Sequence, residues 1–191
     1  MLKLFAIILF LISLIHLIII VFVALHYKKY NPGKLSISQL GTKKSPYHKL
    51  LNLSGFIFGL SVLSFGMNMD NLSYYASVGI SIIGIVLAIS SLFPLDRFPK
   101  IHNSIAGILG FLCVIFSTFS IHYIYVTKWL PDILIFLIFG IILCSGMLVF
   151  EISHKARKQS YPKYTWYWEW GWLGFELLFI FIICISILKL N

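Results

Sequence analysis

The chain has 191 residues, of which 60% are hydrophobic and 11% charged, against roughly 45–50% and about 25% in a soluble globular domain. A soluble domain of this size cannot hide so much apolar surface, whereas a lipid bilayer accepts it directly. The net charge of +9 raises nucleic acid as a partner. No recognised nucleic-acid motif accompanies it, and the cations are distributed as a membrane-topology signal, so the expected partners are membrane lipids and no nucleic acid.

A helix needs about 20 mainly apolar residues to cross a bilayer core. The first such run is "LFAIILFLISLIHLIIIVFVAL", Leu4 to Leu25. It exceeds the roughly 7–15 apolar residues of a signal-peptide core, and no small-residue cleavage site follows, so a retained helix is expected. Further spans are expected at about Leu50–Met67, Ser73–Phe93, Ser104–Tyr125, Pro131–Glu151 and Trp166–Leu188. The fold class that follows is all-α, a polytopic transmembrane bundle of six helices forming a single domain over 1–191. Only "NMDNL" separates the second and third spans, which predicts a tight antiparallel hairpin. Pro94 and Pro99 are placed in the connection after span three, with Asn103 or Ser104 as the cap of span four. Pro131 opens span five, where a missing backbone donor is tolerated.

Orientation is read from Lys and Arg. The first, third and fifth connections (26–49, 94–103 and 152–165) carry six, two and four of the fifteen. These three loops are therefore expected in the cytoplasm, with both termini outside and the chain in the inner membrane. Stretches such as "YKKYNPGK" and "SHKARKQSYPK" then meet anionic lipid headgroups. Trp166, Trp168, Trp170 and Trp172, with Tyr164 and Tyr167, suit headgroup depth as anchors; a sharper reading makes Trp172 part of an aromatic wall around a ligand. Cys113, Cys144 and Cys184 all fall inside apolar runs and read as small packing residues. Gly55, Gly59 and Gly66 in span two, Gly84 and Ala88 in span three, and Gly107 and Gly110 in span four let backbones approach. That pattern fits an intramolecular bundle as well as a homo-oligomer.

No phosphate loop, HExxH, GxSxG or Cys-x-x-Cys motif occurs. Attention therefore falls on ionisable groups that hydrocarbon penalises, which are functional candidates by default. Glu176 lies about ten residues into span six, and His16 lies mid-span in the first helix. Both are expected ligand-binding residues, together with Asn52 and Trp172, and His16 is a candidate partner of Glu176. In the third connection Asp96 and His102, with Glu169 from the start of span six, form a candidate catalytic set. Asp96, His102 and one of Glu169 or His154 could also supply metal ligands, but nothing in their spacing demands it. The expectation is no metal and no cofactor.

"SISQLGTKKSPYHKLLNLSGFIFGL" (Ser36 to Leu60) and "SSLFPLDRFPKIHNSIAGILGF" (Ser90 to Phe111) resemble the six-span prokaryotic membrane proteins grouped as domain of unknown function nine-nine-eight. The matching positions are Ser38, Gly41, Pro46, Asn52, Phe93, Pro94, Asp96 and His102. The resemblance implies an integral membrane protein and no particular activity. The chain is also distantly similar to the DRAM and Sfk group, which places its first loop on the non-cytoplasmic side, opposite to the charge bias here. Three functions are open at this level. The first is non-enzymatic binding or sensing of a lipid or small hydrophobic ligand. The others are an intramembrane lipid-modifying hydrolase or transferase using Asp96 and His102, and a small proton-linked transporter or channel using Glu176.

Overall fold

The computed structural model describes residues 1–32, 35–69 and 74–109, with the helical positions 112, 170, 171, 173, 174, 177, 180, 181, 184, 187 and 188. Among the described residues all regular structure is helical. Helix α1 is Leu2–His26, a 3₁₀ turn spans Ile37–Gly41, α2 is His48–Met67 and α3 is Tyr74–Leu92. A further helical stretch covers 99–109. At 25 and 20 residues, α1 and α2 extend about 37 and 30 Å. Each is long and apolar enough to cross a membrane, while the apolar run of α3, Ser77–Leu92, is shorter.

The outward faces of these helices are as apolar as their inward faces. Helix α1 exposes Leu4, Leu11, Ile15, Ile18 and Leu25, and it buries Leu9, Ile20 and Val23 beside Ala6 and Ser13. Helix α2 exposes Leu50, Leu53, Ile57 and Leu60 and buries Leu51, Phe58, Val62 and Phe65 beside Ser54, Gly59, Ser61 and Gly66. In water the outward face of a helix is polar. A large apolar outward face, with small and hydroxylated residues among the buried ones, suits close helix packing in a bilayer.

The antiparallel α2–α3 hairpin is closed by that logic. A methyl group at Gly59 would overlap the backbone of Ala88, and one at Gly84 would overlap the backbone of Leu63. The two helices therefore touch main chain to main chain, and these glycines are consumed within the hairpin. Ser54, Ser61, Ser64, Ser90 and Ser91 each donate to a carbonyl three or four residues earlier on their own helix, so these five hydroxyl protons are satisfied without a bond across the hairpin.

Helix α1 packs on the hairpin, with Ala6 and Leu9 in one core with Phe58, Val62 and Phe65. Leu177, Cys184 and Ile187 join the same core, and Phe10 and Phe181 stack at 4.8 Å between ring centres. Cys184 is buried and unbonded to sulfur, as expected of a packing residue; Cys113 and Cys144 lie outside the described residues. A second cluster of Ile20, Val23, Leu40 and Leu51 seats the 3₁₀ turn on the helices.

One boundary differs from the sequence expectation. Pro99 stands inside the helical stretch over 99–109 rather than in the connection, and Asn103 and Ser104 lie within that helix rather than capping it. The physical reason is proline at a helix start: its φ is already helical and its missing N–H is not needed there. The polar turn from Pro99 to Asn103 is helix that lies ahead of the apolar run.

Candidate functional site

Two polar constellations stand out, one inside the helices and one at their end. The inner one is centred on His16. Its Nδ1 lies 2.9 Å from Ser54 Oγ, and its ring stacks on Phe58 at 5.0 Å and 14°. Ser54 Oγ already donates its proton to the carbonyl of Leu51 at 2.8 Å. A hydroxyl carries one proton, so the His16–Ser54 bond must be donated by His16 Nδ1–H. The neutral ring then carries its lone pair on Nε2, which meets no hydrogen-bond partner among the described residues. Gly55 makes the space: its missing side chain would sit 3.6 Å from His16 Cε1 and 2.6 Å from Ser91 Oγ. The arrangement is an imidazole locked in one tautomer, with a hydrogen-bond acceptor left over, in a 25-residue helix whose other polar residues are Lys3, Ser13 and His26.

The outer constellation folds two connections onto each other. Asn52, in the first turns of α2, donates from Nδ2 to the carbonyl of Gly41 at 3.0 Å. A Cβ at Gly41 would lie 2.5 Å from Asn52 Oδ1, so a side chain there would displace the Asn52 amide. Two residues on, the backbone N–H of Lys43 donates to Asp96 Oδ2 at 3.1 Å, spanning 53 residues. His102 Nδ1–H donates to the carbonyl of Phe93 at 2.8 Å, closing a loop in which Phe93 and Phe98 meet edge to face. His48 Nδ1–H likewise donates to the carbonyl of Ser45. The hydroxyl of Ser45, buried at 1% exposure, has no partner among the described residues.

The expected site residues are thus divided. Asn52, Asp96 and His102 lie at one end of the helices, and each is engaged with a backbone group. His16 lies apart from them between α1 and α2. Among the described residues no three His, Cys, Asp or Glu side chains gather as a metal site would need. Glu169, Trp172, Glu176 and His154 lie outside the described residues. Trp170 Nε1–H donates to Tyr30 Oη at 2.9 Å, which brings Trp170 to the same end as the other two connections. Sequence reasoning missed Ser54, Gly55 and the main chain of Gly41 and Lys43. Gly55 was visible as a small residue, but nothing in the sequence says which α2 serine faces α1.

The chain matches a family model described as "Protein of unknown function (DUF998)" over residues 10–190. It belongs to the DUF998 family. No curated protein and no solved structure matches it. Within this DUF998 chain, six of the eight residues that carry the family resemblance lie in the outer constellation. Gly41 and Asn52 bond to each other, Phe93 and His102 bond to each other, and Asp96 holds Lys43. The carbonyl of Pro94 receives the N–H groups of Arg97 and Phe98. In this chain those positions build a tied pair of connections.

Proposed function

We propose that this DUF998 protein is a six-span membrane protein that binds or senses a lipid or small hydrophobic ligand inside its helix bundle, without acting as an enzyme. The observation that carries the reading is His16. An intramembrane ionisable group is costly and marks a ligand or ion path by default, and here its Nε2 acceptor is unmet among the described residues. Glu176 is another ionisable group well inside an expected span, and we assign it to the same ligand. Engagement of Asn52, Asp96 and His102 with main-chain groups supports a positioning role for them rather than a chemical one.

The span count rests on the tied end. The helix over 99–109 leaves from that end, and Trp170 lies at it, so an even number of crossings between them is consistent with both; two such apolar runs are present in the sequence. The charge bias puts this end in the cytoplasm, in the inner membrane.

The test is lipidomics and native mass spectrometry on protein purified in mild detergent. A specific lipid or small amphiphile should co-purify with the native chain, and His16→Leu should lower its occupancy several-fold while leaving the chain monodisperse. No retained molecule above background, or equal retention in His16→Leu, would overturn the reading.

A further inference from the structure

We propose that the tied end is a second binding site, for the phosphate of an anionic phospholipid whose acyl chains run down the outer face of α2. This site is independent of His16, since it lies at the end of the helices and uses none of the same residues. The bond from Lys43 N–H to Asp96 Oδ2 places Lys43 and Lys44 beside Asp96 and Arg97. Lys43, Lys44, Lys49, Arg97 and Lys100 are all exposed. Asp96 is the one acidic residue among the described ones, and its Oδ2 is occupied by a backbone amide. With Lys28 and Lys29 just after α1, this end carries seven Lys and Arg against one carboxylate among the described residues. Helix α2 also begins here, at His48, with no side-chain cap on its first turn, so its positive end adds to the same field.

The apolar surface decides in favour of a lipid over a free anion. Leu50, Leu53, Ile57 and Leu60 are 41%, 57%, 44% and 41% exposed. Their spacing of three, four and three residues makes one stripe along α2 that starts one residue after Lys49. A ligand matching the whole surface has an anionic head and a long apolar tail. Asp96 acts here as a positioning residue: it fixes the Lys43–Lys44 pair but opposes the anion by its own charge.

Full-length protein in detergent micelles is titrated with phosphatidylglycerol, with phosphatidylcholine of the same chains, and with inorganic phosphate, and bound lipid is counted by native mass spectrometry. Phosphatidylglycerol should bind at least about tenfold more tightly than phosphatidylcholine. The double variant Lys43→Gln, Lys44→Gln should remove most of that preference, at about fivefold per surface cation. Asp96→Asn keeps an acceptor for the Lys43 amide and loses the charge, so it should bind phosphatidylglycerol at least as tightly as the native chain. Asp96→Ala loses the tie as well and should bind less tightly than Asp96→Asn. Equal affinity for the two lipids, a preference unchanged in the double variant, or displacement of phosphatidylglycerol by millimolar inorganic phosphate would each overturn the proposal.

Discussion

The α2–α3 seam and the tied end hold chain to chain by opposite means. Along the seam, glycines bring backbones together, and every serine proton named above is spent on its own helix. At the tied end side chains bond to main chain: Asn52 and His102 donate to carbonyls, and Asp96 accepts from the Lys43 amide. The difference follows from the medium. In hydrocarbon the strongest attraction between helices is close contact, and an unmet polar group is costly. At the headgroup level irregular backbone must be satisfied, and side chains are the available partners. His16 crosses this division, as a hydrogen bond between helices placed where the rest of the structure uses packing alone.

The largest expected effect strikes the seam. Gly59→Val forces a branched side chain into the backbone of Ala88 and should cost about 3 kcal/mol or more, read as loss of the monodisperse peak and a lower Tm in detergent. Asn52→Ala sharpens the comparison from the other side. It strips the partner from the Gly41 carbonyl at a part-buried site, and a loss of about 1–3 kcal/mol is expected in thermal unfolding, with faster proteolysis of the first connection. If both variants lose equally little, packing and hydrogen bonding are not divided as described. Ser45→Ala should have the smallest effect, within about 0.5 kcal/mol of the native chain or slightly stabilising, because the hydroxyl it removes is buried without a partner among the described residues.

The long helices were legible because apolar length alone specifies them: α1, α2 and α3 end within two residues of the boundaries read from the sequence. The start of the helix at Pro99 was not, because hydropathy marks where hydrocarbon begins, whereas a helix can begin in the polar layer before it. His16 was legible as a candidate from its charge-bearing ring in an apolar run. Its partner was not, since Ser54 and Ser61 are seven residues apart and both lie on the inward face of α2. Asn52 and Asp96 stood out as polar groups, but their partners are main-chain atoms of Gly41 and Lys43, and a main-chain atom carries no sequence letter. Side chains that grip backbone look, in a sequence, the same as side chains that grip a substrate.

The ties on the first connection also set an order of assembly for a chain emerging from the ribosome. Asn52 follows Gly41 by 11 residues, Asp96 follows Lys43 by 53, and Trp170 follows Tyr30 by 140. The loop is thus gripped in three stages during synthesis, and the last waits for the final helix. A nascent fragment ending soon after Arg97 would carry the first two grips and lack the third, so the Tyr30–Trp170 contact is a mark of a chain folded as far as Trp170.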